Sequence, residues 1–318
     1  MPSIASLLVP LFGAIFVGVG ARALKLFDGE DARRMARFVF MIAMPFAGFE
    51  FMRANTVAGD ILLGLAAGYL GALVTVVAAA FAICRSVLGL SVRESGAAVF
   101  ATTCGNAIFL GIPIATSVEG WGPPFLILVL LEGTFCFAIG TALMTWPTGG
   151  EAGRTGFGNA VRNVRDAIIR ALRNPIVLGT LLGLGAALVE VDIPGPAAGF
   201  LGFMARTAGP LGLFVLGLSA ADLVLQRKVA ELKGAALLLP LKLLAFPALT
   251  AVLASVFPAD PSATTVAALF TGLPPAVASI VLASVYGQWI GGVSGVVTIG
   301  TVIGLASLAI YLVAVLPG

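Results

Sequence analysis

Histidine is absent from the 318 residues, which removes the zinc-protease signature HExxH and every Ser-His or Cys-His dyad. Charge is scarce as well. Asp, Glu, Lys and Arg together make up 10% of the chain, whereas 59% is hydrophobic and the mean hydropathy is +1.09. A soluble domain of this size needs more polar covering, so the class indicated is an all-α, multi-span membrane protein. The three cysteines, Cys84, Cys104 and Cys136, lie in or at the ends of apolar segments with no spacing for a disulfide framework, and read as small buried hydrophobes. No GxxxxGK[ST] loop occurs, so ATP hydrolysis has no carrier motif. The few aspartates sit at segment ends or in loops, which excludes a pair of intramembrane catalytic aspartates. Lys242 has no serine partner for a Ser-Lys dyad. An enzyme is therefore not expected, nor a cofactor or a metal centre. The net charge of +3 does not indicate nucleic acid, because the basic residues gather in short loops between apolar runs.

Apolar runs of about 20 residues mark membrane spans. They predict ten helices, near 4–24, 34–53, 59–84, 94–117, 124–145, 174–190, 199–222, 231–256, 263–286 and 292–315. Pro45 should kink the second span, and Pro240 and Pro247 the eighth, since proline removes a backbone donor and crowds the preceding turn. Residues 1–9 lack a positively charged leader region, so the first span is expected to be retained. The polar stretch 146–173 divides the chain into two sets of five spans, 1–145 and 174–318. Fifteen of the eighteen basic residues fall on one side if the N-terminus is outside, among them Arg33, Arg34, Arg37, Arg85, Arg93, Arg154, Arg173 and Lys233. Only Arg53 and Arg206 lie at the outer ends. The positive-inside bias therefore predicts both termini outside and the 146–173 loop in the cytoplasm.

Two spans are interrupted. Thr102-Thr103-Cys104-Gly105-Asn106-Ala107-Ile108-Phe109-Leu110-Gly111-Ile112-Pro113 breaks the fourth, and Thr271-Gly272-Leu273-Pro274-Pro275-Ala276-Val277 breaks the ninth. Irregular backbone at membrane depth is tolerated only against protein or a wet cavity. Paired broken helices in matching positions are the mark of a transporter's binding site. The runs entering the two breaks echo each other, Gly96-Ala97-Ala98-Val99-Phe100-Ala101-Thr102 against Val266-Ala267-Ala268-Leu269-Phe270-Thr271. With an odd number of spans in each half, the second half would be inverted relative to the first.

Four motifs together resemble the auxin efflux carrier family of secondary transporters, which includes plant PIN and PIN-like carriers and bacterial malate or malonate permeases. They are Met44-Pro45-Phe46-Ala47, Gly105 to Pro113, Asn174-Pro175-Ile176-Val177-Leu178, and Leu273-Pro274-Pro275-Ala276 with Val281 to Gly287. The resemblance implies a ten-span fold similar to bile-acid sodium symporters and sodium/proton antiporters. It implies a scaffold of 1–53 and 174–222, a transport core of 59–145 and 231–318 that moves as an elevator, and a homodimer. Where many bacterial relatives carry an asparagine after the ninth-span prolines, this chain has Ala278 and Ser279.

The expected cargo is a small organic anion such as a carboxylate, carried across a bacterial inner membrane. The Asn106 amide can hold a carboxylate oxygen or satisfy a carbonyl freed by the kink. Gly105, Gly111 and Pro113 serve the break itself, with Ile108 beside them in the motif. Half-helix N-termini following Gly111 and Pro274-Pro275 would attract an anion by about 0.3–1 kcal/mol each when exposed. Thr271, Ser279 and Thr103 could add hydroxyl ligands, or bond their own preceding turns. Glu132 and Lys242 lie nearest mid-depth, where an unpaired charge costs a few kcal/mol or more. Two readings stay open for them: a static pair, or a proton- or substrate-linked site. The coupling expected is to protons or to the membrane potential alone. Alternatives are a sodium-coupled symporter, a channel, or a receptor that does not transport.

Overall fold

A computed structural model describes residues 4–54, 59–146, 175–226, 232–256 and 261–315. The expected cytoplasmic loop lies outside them apart from Trp146, as do Asn174 of the third motif and the basic pair Arg227 and Lys228. All regular elements among the described residues are helices. They are α1 (Ile4–Ala23), α2 (Gly29–Ala54), α3 (Gly59–Ser86), α4 (Val92–Thr103), α5 (Ile112–Ser117, entered through a π turn at Ala107–Gly111), α6 (Gly122–Met144), α7 (Pro175–Leu188), α8 (Gly195–Gln226), α9 (Lys233–Val256), α10 (Pro261–Thr271), α11 (Ala278–Tyr286) and α12 (Ile290–Val315).

Six stretches are long and apolar enough to cross a membrane: α2, residues Gly64–Ser86 of α3, α6, Gly195–Ser219 of α8, α9 and α12. The chain is a multi-pass integral membrane protein. Of the other expected spans, the fourth and ninth are the interrupted ones. In the first and sixth the apolar stretches are shorter, Phe12–Ala23 and Leu178–Leu188.

α2 starts five residues before the apolar run that announced it. Asp28 accepts hydrogen bonds from the N–H groups of Asp31 (2.8 Å) and Glu30 (2.7 Å), and Asp31 returns one from the Asp28 N–H (3.0 Å). These bonds, that from Asp31 first, hold the Asp28 carboxyl below the usual carboxylate range. The reciprocal cap lets the charged turn Gly29-Glu30-Asp31 be helical. Ser91 and Glu94 begin α4 in the same way.

Three of the four π turns among the described residues end two positions before a proline: Val39–Ala43 before Pro45, Ala107–Gly111 before Pro113, and Leu241–Ala245 before Pro247. A helical proline cannot donate to the carbonyl four residues back, and its ring crowds that carbonyl. The carbonyl in question belongs to Met41, Phe109 or Leu243, the centre of each π turn. Widening that turn moves the carbonyl aside, so the kinks expected at Pro45 and Pro247 take the form of π bulges. The fourth π turn, Glu132–Cys136, has no following proline.

The helices pack as two groups. α1 lies on α8, α2 on α7, and α8 also on α2. Gly179 and Gly183 of α7 allow its backbone to press on that of Pro45 and Phe49, where any Cβ would collide. The other group joins α3 to α9, α4 to α3 and α6, α10 to α9 and α6, and α12 to α9, α4 and α11. The groups meet where α8 touches α12 and the π turn before α5, and where α7 touches the π turn of α6.

Candidate functional site

α4 stops at Thr103 because Cys104 turns extended (φ −79°, ψ 121°), and α10 stops at Thr271 ahead of two prolines that offer no N–H. The two interruptions then complete each other. The Asn106 N–H donates to the Pro274 carbonyl (2.8 Å), and the Ala276 N–H donates to the Cys104 carbonyl (3.0 Å). Between them Gly105 faces Pro275 as a one-residue antiparallel bridge. In that geometry Gly105 and Pro275 form a non-hydrogen-bonded pair, the position at which proline's missing donor is not needed. Gly300 and Gly304 of α12 make room behind the prolines, since a Cβ at either would come within 2.7 Å of Pro275 Cγ or 2.9 Å of Pro274 Cγ.

Two further backbone groups of the break are taken by the two mid-depth ionisable side chains. Glu132 Oε2 accepts from the Gly105 N–H (2.9 Å), while Oε1 lies 3.6 Å from the Cys104 thiol. Lys242 Nζ donates to the Thr103 carbonyl (3.3 Å), one of the last carbonyls of α4, and lies 5.2 Å from the centre of the Phe246 ring. Both side chains are at most 5% exposed, and among the described residues no direct ion pair joins them. They act through the backbone between them: Glu132 holds the N–H of Gly105 and Lys242 holds the carbonyl of Thr103.

A cavity adjoins this crossing. It has about 50 Å³ of space for the centres of water-sized molecules, several times the roughly 10–15 Å³ that one water needs. Its walls come from both helix groups: Phe40 and Met44 of α2, Ile176 and Thr180 of α7, Glu132 to Thr134 of α6, the first break from Cys104 to Ile108, and Ala276 to Ala278 of the second. Asn106 is 2% exposed, and its Nδ2 has no hydrogen-bond partner. With no partner, that Nδ2 plugs no freed carbonyl, and the Thr103, Cys104 and Asn106 carbonyls have other donors in Lys242, the Ala276 N–H and the N–H groups of Leu110 and Gly111.

The profile of the membrane transport protein family matches residues 3–312. The chain belongs to that family. A protein of Rhizobium meliloti (strain 1021) named "Putative malonate transporter" is 27% identical over 319 residues, covering 98% of this chain and 97% of that protein. The family, auxin efflux carrier-like, is the one the four motifs resemble, and both it and the relative are transporters rather than enzymes.

Of the transporter's candidate residues, the structure places Asn106, Gly105, Ile108 and Glu132 on the cavity wall. The others stand apart from it. Thr103 and Thr271 donate to carbonyls of their own helices, Val99 (2.8 Å) and Ala267 (2.9 Å). Gly111 packs on Phe125 and Leu273, and Pro274 and Pro275 supply the pairing strand. Ser279 is buried with its Oγ unpartnered and does not line the cavity. Pro113 lies in the first turn of α5, but the half-helix begins with the π turn just after Asn106, four residues before Gly111. Lys242 lies behind the crossing and is not a wall residue. The transporter's other wall residues Met44, Ile176 and Ala276 belong to the motifs, although their sequence carried no chemical signal.

Proposed function

We propose that the protein is a secondary carrier of small organic anions of the malonate type, working by alternating access. The observation carrying this reading is the cavity between the two helix groups, lined by the unpartnered amide of Asn106 and by the starts of two half-helices. In the second half-helix the Ser279 and Ile280 N–H groups already bond the Ala276 and Val277 carbonyls (3.0 Å each), but half-helix starts carry partial positive charge. That suits a carboxylate held at a break. On this reading α1, α2, α7 and α8 form a scaffold, α3 to α6 with α9 to α12 form the moving core, and the broken elements count as single spans of a ten-span inverted repeat. Pairings that exchange between the halves support it: α1 with α8 and α2 with α7, or α3 with α4 and α9 with α10.

The setting would be a bacterial inner membrane with both termini outside, and a homodimer would form through the scaffold, where Phe16, Val17, Phe200 and Phe203 are exposed. A cysteine at position 156 in a cysteine-free chain should be labelled from the cytoplasmic side alone. The purified protein in proteoliposomes should show saturable malonate uptake and counterflow. Flux that never saturates would make it a channel, and binding without flux a receptor.

A further inference from the structure

Among the described residues, Glu132 is the one ionisable side chain on the cavity wall apart from the Cys104 thiol. No cationic side chain among the described residues lines the same space. Lys242 Nζ donates a hydrogen bond to the Thr103 carbonyl behind the crossing. The groups near Glu132 are the Cys104 thiol of α4, the Cys136 thiol of its own helix, Lys242 of α9, and Tyr69 of α3, whose hydroxyl lies 3.5 Å from Cys136 Sγ. From α7 the facing wall residues are Ile176 and Thr180, which do not titrate. Each Glu132 oxygen accepts one bond and retains lone-pair capacity toward the cavity.

Glu132 holds the N–H of Gly105, and Asn106 is the next residue. Asn106 and Glu132 line the same small cavity, so a cargo carboxylate at Asn106 leaves the second carboxyl of a short diacid in the space that Glu132 borders. Two carboxylates sharing one enclosed site disfavour each other's charge, which favours a proton on one of them. A monocarboxylate meets no such conflict.

We propose that Glu132 sets the protonation state of a dicarboxylate cargo: the loaded site holds one proton shared between the Glu132 carboxyl and the cargo's second carboxyl. This rests on the carrier reading above. The proton enters from water on the side where the cargo binds and leaves with it on the other side. No covalent bond changes, and Glu132 returns to its starting state. Each dicarboxylate thus crosses with one proton, whereas a monocarboxylate crosses with none.

The test uses the full-length protein in proteoliposomes with a trapped pH dye, and two probes, malonate and its monomethyl ester. Malonate uptake should acidify the lumen by one proton per malonate. Its rate should fall roughly tenfold per pH unit once the shared proton is lost, as a single-proton linkage requires. Uptake of the monoester should be flat with pH. In Glu132→Gln the amide donates to the second carboxylate without a proton, so malonate uptake should become pH-insensitive and free of acidification. Malonate uptake by the wild-type protein without protons, or exclusion of malonate while the monoester crosses, overturns the proposal and leaves the carrier reading standing. Uptake of neither probe overturns the carrier reading itself, and the proposal falls with it. Because the wild-type comparison of two probes suffices, poor folding of the variant does not block the test.

Discussion

Replacing Asn106 by alanine is the sharpest test of the site. Its Nδ2 bonds nothing in the protein, so truncation breaks no internal side-chain bond of that donor. The pairing that holds the break runs through the Asn106 backbone N–H to Pro274, which alanine keeps. The fold should therefore tolerate the change, with little loss in yield or melting temperature. A cargo carboxylate loses a charge-assisted hydrogen bond worth about 1.5–3 kcal/mol, so its Kd should rise roughly 10- to 150-fold. Asn106→Asp keeps the shape but sets a carboxylate against the anion, and should bind more weakly still. The assay is malonate binding and thermal unfolding on one purified preparation. Unchanged affinity together with a lowered melting temperature would refute the reasoning and make Asn106 a structural residue.

Lys242→Met strips the Thr103 carbonyl of its donor, costing about 1–3 kcal/mol for the orphaned acceptor. Adding Glu132→Gln should cost less than the sum of the two single changes, because the two side chains grip the same short stretch of backbone, at Thr103 and Gly105 on either side of Cys104, and a thermal double-mutant cycle measures that coupling. Gly179→Ala or Gly183→Ala drives a Cβ into the α2 backbone and should sharply lower the yield of folded protein. Gly185→Ala, with nothing within 4 Å of its Cβ, should be harmless. Asp28 has a folded pKa below its ordinary value of 3.8. Its contribution to the start of α2 should thus be complete above that value and disappear as pH falls through the lower folded one. Amide exchange at Glu30 and Asp31 should accelerate over that acid range, and Asp28→Asn should remove the dependence.

Much of the architecture was legible because membrane spans are announced by composition, residue by residue. The two interruptions were legible for the same reason, since glycine and proline act on their own turns. The kinks at Pro45 and Pro247 were foreseen, but their form as π bulges centred on the crowded carbonyl depends on how the helix relaxes around it. The charged start of α2 was missed because a hydropathy reading discounts Gly29 to Arg34, although the Asp28 and Asp31 pair was there to be read as a cap. The second half of the fourth span was expected to start at Gly111 and Pro113, whose helix signals are local. It begins after Asn106, where pairing with Pro274 ends.

By itself the sequence determined the membrane class, the transporter motifs, the exclusion of histidine chemistry, and the fact that Glu132 and Lys242 needed partners at mid-depth. Tertiary structure alone decided who those partners are. The carbonyl that Lys242 takes lies 139 positions away, and the N–H that Glu132 takes lies 27 away. Both are backbone atoms, which every residue has and no sequence pattern marks. The same holds for the other polar groups: Thr103 and Thr271 turned to their own helices, whereas the Asn106 amide nitrogen was left buried beside the cavity without a partner. Whether a polar group finds a partner is settled by what packs against it, and that is fixed only when the two breaks meet.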